Sequence, residues 1–236
     1  LIFFSALPIA AQADVSECAP EDTSCLFILL EDTASGISED HWRDSTYREL
    51  AKLLTKESRI DPALDLIDKI KSPDTKAMTI RGIGMAAAEL DLPAEEQAAV
   101  FAKLKARASQ IEHPPSFAIA LTYIAMSQAF AGDSVGAMET ARAMENPALR
   151  NKAFAESAEI QAEQNDHQAA LASIEAIEDP AFKDKALRTT SKILADKTSY
   201  GPALEFATEI ENPYQRAQAV LYILVRQISP EEVSIQ

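Results

Sequence analysis

Apolar side chains recur along this chain at helical spacing, and the recurrence itself repeats. Ala63, Leu64, Ile67 and Ile70 form one stripe, and Ala137, Met138, Ala141 and Met144 a second. Ala170, Leu171, Ile174 and Ile177 form a third, and Ala203, Leu204, Ala207 and Ile210 a fourth. Steps of one, three and three residues put each set on one face of a helix. Each stripe runs into a polar residue and then a proline, as Ser72-Pro73, Asn146-Pro147, Asp179-Pro180 and Asn212-Pro213. Ser, Asn and Asp are N-cap residues whose side chains satisfy an orphan amide, and proline presets the first helical position. A further helix is therefore predicted to open at each proline. These helices carry two small residues one turn apart, Gly84/Ala88, Ala125/Ala129, Ala158/Ala162 and Ser191/Ala195, which lets neighbouring helices approach closely.

Aligning the prolines exposes a period. Met144-Glu145-Asn146-Pro147, Ile177-Glu178-Asp179-Pro180 and Ile210-Glu211-Asn212-Pro213 follow one another at steps of 33 residues. The preceding phrase is Ile111-Glu112-His113-Pro114, where His113 is the weak cap. A step of 41 reaches Ile70-Lys71-Ser72-Pro73, and one of 33 reaches Ile37-Ser38-Glu39-Asp40, where the proline is lost. Register marks of this kind predict a repeat array, in which stacking buries the apolar face that no single unit can bury. The predicted fold class is all-α, a solenoid of about six helix-turn-helix repeats of 33 residues over 26–227.

Three places depart from the pattern. Asp61-Pro62 is expected to cap and open the helix that carries Leu64 and Ile67. Eight extra residues around Asp91-Leu92-Pro93-Ala94-Glu95-Glu96 predict an unusually long helix reaching about Ile111. Val220–Val225 is apolar nearly all round although the chain soon ends, whereas arrays close on a polar cap. Either the 228–236 tail folds back through Val233 and Ile235, or this helix meets a second copy as a homodimer. Both readings stay open here.

Composition narrows the function. Of 236 residues 47% are apolar and 6% aromatic, which suits a helical core. The net charge of −15 argues against nucleic acid and anionic lipid as partners. Residues 1–13 read as a signal-peptide remnant: an apolar run too short to span a bilayer, ending in Ala11-Gln12-Ala13. The expected protein is soluble, periplasmic or secreted, and starts at Asp14, with no membrane insertion. Cys18 and Cys25 are the only cysteines, seven positions apart around a turn-prone segment. In an oxidising compartment they predict a disulfide closing the 14–25 segment, contributing about 2–3 kcal/mol. It would staple Cys25–Ala34, read as the N-terminal cap of the array.

The paired helices, the small residue within the first, the alanine near the start of the second and the closing proline resemble the tetratricopeptide repeat. The phrase Ala170-Leu171…Ala176-Ile177-Glu178-Asp179-Pro180 carries the resemblance best. The period of 33 in place of 34 and the missing aromatic positions mark it as divergent. The resemblance implies a right-handed superhelix whose inner surface, lined by the first helix of each pair, binds peptides or partner proteins. It also implies an assembly scaffold of a kind exported to bacterial envelopes.

No HExxH, C-x-x-C or G-x-S-x-G occurs, so no catalytic residue, metal or cofactor is assigned. Glu156, Glu159 and Glu163 share a face, and an envelope glycosidase built on a carboxylate pair is the alternative reading. The candidate binding residues come from recurrence. Arg43, Lys76, Arg150, Lys183 and Arg216 each fall three residues after the proline position, so stacking aligns them into a column. Such a column can grip an acidic segment or a C-terminal carboxylate; alternatively it is a structural ladder onto Glu145, Glu178 and Glu211, each exposed pair worth about 0–1 kcal/mol. Gln128 and Gln161 recur at one register position, as groups reading an extended peptide would, and Tyr123 lies one turn away. The expected function is a non-catalytic scaffold that binds a protein or peptide.

Overall fold

A computed structural model describes residues 18–231. The signal remnant at 1–13 and the tail residues Val233 and Ile235 lie outside the described residues. Twelve helices make up the fold: α1 Thr23–Ser35, α2 Asp40–Lys56, α3 Ile60–Lys69, α4 Pro73–Ala88, α5 Ala94–Ala108, α6 Pro114–Phe130, α7 Ser134–Arg142, α8 Pro147–Glu163, α9 His167–Glu175, α10 Pro180–Asp196, α11 Tyr200–Glu209 and α12 Pro213–Ile228. Among the described residues there is no strand.

Local chemistry sets the helix boundaries. Ser72, Asn146, Asp179 and Asn212 each accept a first-turn amide of the proline-led helix that follows. His113 makes no such bond at α6. There the Ser116 hydroxyl bridges instead, donating to Asp74 of α4 and lying 2.7 Å from His113 Nδ1. Asp22, Asp133 and Asp166 cap α1, α7 and α9 in the same manner. At the opposite ends, Ser58, Gly132, Asn165 and Thr198 adopt positive φ just after α2, α6, α8 and α10. The next amide then bonds five residues back, as Asp133 N to Gln128 O and Ser199 N to Leu194 O, which satisfies carbonyls left free by the helix end.

Asp61 does not cap α3. That helix opens at Ile60 after Arg59, with no side-chain cap, and Asp61 pairs with Lys103 of α5 at 2.5 Å. The inserted residues make α5 15 residues long, against 9 or 10 in α3, α7, α9 and α11. The added length carries Lys103 and Arg107 over α3, where Arg107 bonds Asp65 and Asp68.

The even-numbered helices pack each on the next, from α2 through α12, and each odd-numbered helix from α3 onward packs against the two even ones beside it in the chain. Close approach within the even layer follows from small residues. A Cβ on Gly84 of α4 would lie 2.6 Å from Ser127 Oγ of α6, and Ala125, Ala129, Ala158 and Ala162 are wholly buried. The apolar core runs between the layers, with Phe101, Phe154 and Phe206 its largest buried side chains; burial of each contributes about 2–3 kcal/mol. Leu121 of α6 packs against both its N-terminal and its C-terminal part.

Polar brackets tie neighbouring even helices together. Asp44 Oδ2 accepts the amides of Lys71 and Ser72, and Asp184 accepts those of Glu211 and Asn212. Asn151 accepts only Glu178 N, at 3.3 Å. Each bracket sits at the fifth position of its helix and holds the turn that opens the next even helix.

Candidate functional site

One side of every even helix is turned away from the odd helices, and its richest part is at the N-terminal end. There α2 supplies Arg48, Glu49, Lys52 and Lys56, and α4 supplies Met78, Arg81, Gly82, Met85 and Glu89; together they line a groove of about 440 Å³. Helical geometry sets the lining, because positions nine, thirteen and seventeen of these helices fall on one face. Four cations here face two carboxylates, although the whole chain carries −15. Arg48 pairs with Glu49 at 2.9 Å. Among the described residues Lys52, Lys56 and Arg81 are in no salt bridge, and all three are exposed. The Arg81 guanidinium lies 5.3 Å from the centre of the Tyr123 ring of α6, within cation–π range.

Gly82 forms part of the groove wall. A Cβ there would meet only Lys52 Cβ, at 3.8 Å, an ordinary contact. Packing therefore does not require glycine at this point, although glycine within a helix costs about 0.5–1 kcal/mol relative to alanine. The groove is wider for it. Met126 of α6 occupies the same thirteenth position as Met85, so half-buried sulfur continues along the face.

A second depression of about 320 Å³ lies further along, between α8 and α10, lined by Lys152, Glu156, Glu159, Phe182 and Lys185. Burial, and then the neighbouring Glu156 charge, push the Glu159 carboxyl above its ordinary range, while Lys185 opposes the shift. Lys152 reaches Glu156 at 3.5 Å.

The basic column is elsewhere. Nine residues, two and a half helical turns, separate Lys76 from Met85, so the column leaves the opposite side of each helix from the groove. Its arginines are bound to backbone. Arg43 Nη1 donates to Ile37 O at 3.2 Å, Arg150 Nη1 to Met144 O at 2.9 Å, and Arg216 Nε to Ile210 O at 2.8 Å. Each closes the turn that precedes its own helix. Of the carboxylates considered as rungs, Glu178 meets Arg150 at 2.7 Å, while Arg216 approaches the backbone oxygen of Glu211. Lys76 and Lys183 are half-buried and make no ion pair among the described residues.

Gln128 and Gln161 are not on a groove, which corrects the expectation that they read a peptide. They are 2% and 0% exposed. Gln128 accepts from Thr140 Oγ1 of α7 at 2.6 Å and donates to Asp133 at 3.1 Å. The Gln161 amide lies 2.8 Å from Ser173 Oγ of α9, and its nitrogen-inward orientation also donates to Ser157 O and Ala169 O. Both side chains tether an even helix to the odd helix after it. Tyr123 is half-buried and lies beside Arg81 of the groove.

The cysteine pair is joined, with Cα atoms 5.6 Å apart, a bond that persists in oxidising surroundings. No helix is long and apolar enough to cross a membrane among the described residues, and no group of three or more His, Cys, Asp or Glu side chains there is arranged to hold a metal. His113, Ser116 and Asp74 do come together, but the fully buried serine stands between the other two and donates to the aspartate. A nucleophilic triad needs the histidine in the middle. The cationic groove escaped the sequence reading because Arg81 sits on a different helix from Arg48, Lys52 and Lys56; the available signal was those three cations at four-residue spacing in an acidic chain, with Arg81 33 residues beyond Arg48.

Comparison with protein-family models, with curated proteins and with solved structures returns no match to this chain.

Proposed function

We propose that this chain is a non-catalytic scaffold that binds a protein or peptide on the side of its even helices turned away from the odd helices, in the periplasm or another extracytoplasmic compartment. Its architecture on this reading is a right-handed α-solenoid of about six 33-residue units, similar in design to tetratricopeptide repeats. The unbroken packing of each even helix on the next supports that architecture, and the disulfide supports the compartment. The observation that carries the binding function is the open, cation-lined groove between α2 and α4, wider for the glycine in its wall.

Affinity capture from an envelope extract tests this reading. The parent chain is compared with a variant altered in the groove (Lys52→Ala, Lys56→Ala, Arg81→Ala) and one altered in the column (Lys76→Ala, Lys183→Ala). A partner retained by the parent and the column variant, and lost by the groove variant, is the expected result. Loss only in the column variant contradicts it.

A second reading rests on the α8–α10 depression, where Glu159 holds its proton more tightly than an ordinary carboxyl beside Glu156. That is the pairing used for acid–base work on glycosides, although both groups here lie on one helix, whereas glycosidase carboxyls flank the scissile bond. A glycan-cleaving activity abolished by Glu159→Gln would establish it; unchanged activity in that variant would remove it.

A further inference from the structure

Resting on the reading of the even-helix face as the recognition surface, we propose that the groove between α2 and α4 receives an acidic polypeptide segment carrying a bulky apolar side chain. Charge complementarity supplies the first half of the argument. A chain of net charge −15 gathers Lys52, Lys56 and Arg81 on one groove without a salt bridge to any described residue, and Arg48 beside them. An acidic segment approaching elsewhere meets net repulsion; over this groove it meets cations that are already exposed, so little desolvation opposes pairing. The Arg81 guanidinium lies within cation–π range of the Tyr123 ring, and its forked N–H donors match the geometry of a carboxylate.

The floor supplies the second half. Of the five methionines in the chain, Met78 and Met85 line the groove, and Met126 holds the position of α6 equivalent to Met85. All three are half-buried. Methionine is flexible and polarisable, and half-exposed methionine suits a surface that moulds itself to an apolar guest. Purely electrostatic capture needs no such floor, and an apolar groove alone needs no ring of cations. Together they select for a segment with both features. Nucleic acid lacks the aliphatic anchor and meets the same long-range repulsion from the acidic chain.

Fluorescence anisotropy with labelled peptides of about 12 residues tests the proposal on the full chain. Three probes are used: Glu-Glu-Leu repeats, Glu-Glu-Ser repeats and Lys-Lys-Leu repeats. The Glu-Glu-Leu probe is expected to bind at least about tenfold more tightly than either other probe, a difference of about 1.4 kcal/mol. Lys52→Glu with Arg81→Glu, both exposed and therefore compatible with folding, is expected to weaken it by about tenfold or more. Equal binding of the serine probe overturns the apolar anchor. Parent-like affinity in the double variant, or preference for the lysine probe, overturns the acidic class. Hydrogen exchange on the bound chain separates failure of the ligand class from failure of the face. Protection of α2 and α4 by the lysine probe leaves the face standing and removes the acidic segment, whereas protection by the Glu-Glu-Leu probe confined to odd helices removes both.

Discussion

Asp184 of α10 accepts the backbone N–H of Asn212 at 3.0 Å, 28 residues further along the chain, and Asn212 in turn caps α12. One buried carboxylate thus joins two even helices and fixes where the second begins. Replacing it with alanine leaves the Glu211 and Asn212 amides without their acceptor. Asp184→Ala is expected to lower unfolding stability by about 2–4 kcal/mol, and Asp184→Asn by about half of that. The fold already contains the milder case, since Asn151 holds a single amide at the same position of α8. Urea unfolding followed by circular dichroism measures both.

Two glycines two residues apart on α4 are expected to respond oppositely. Gly82→Ala meets only Lys52 Cβ at 3.8 Å and should raise stability by about 0.5–1 kcal/mol. Gly84→Ala places its Cβ 3.0 Å from Ser127 Cβ as well as against Oγ, and should cost about 1–3 kcal/mol through overpacking between α4 and α6. Thermal melts of the two variants decide it. If both stabilise, the close approach of these helices is wrong.

Within the basic column, the arginines and lysines should separate. Arg216→Ala and Arg150→Ala remove bonds to Ile210 O and Met144 O and are expected to cost about 1–2 kcal/mol each. Lys76→Ala and Lys183→Ala break no ion pair among the described residues and should stay within about 0.5 kcal/mol. Chemical denaturation of the four single variants distinguishes turn-closing residues from free cations.

Stability should also carry the signature of Glu159. Burial and Glu156 raise its folded pKa, so the folded chain binds the proton more tightly than the unfolded one, and stability falls as pH rises through the window between the two values. Glu159→Gln is therefore expected to raise the melting temperature near about pH 7, where the parent carries the charge. The advantage should shrink towards about pH 4, where the parent is protonated too. Equal melting temperatures at about pH 7 contradict the shift.

How much of this was readable in advance depends on the range of each interaction. Ser72, Asn146, Asp179 and Asn212 act on amides two or three residues away, so their roles were written locally. The bracket from Asp184 acts across 27 and 28 residues, and nothing near it in the chain reveals its partner. Gln128 and Gln161 show a different limit. Their recurrence was real, but a buried tether and a surface reader repeat with the same period, and only burial tells them apart. Lys52 and Arg81 illustrate the converse: they share a groove because α2 and α4 pack side by side, while their sequence positions share no mark.

The most direct test of the account asks which face a partner touches. A photocrosslinking benzoylphenylalanine replaces Gly82 in the groove wall or, in a second protein, Leu204, which is 47% exposed on α11. After irradiation in an envelope extract, a discrete crosslinked polypeptide at position 82 and none at position 204 is the predicted result. Crosslinking at 204 with nothing at 82 would place recognition on the odd helices and contradict the account.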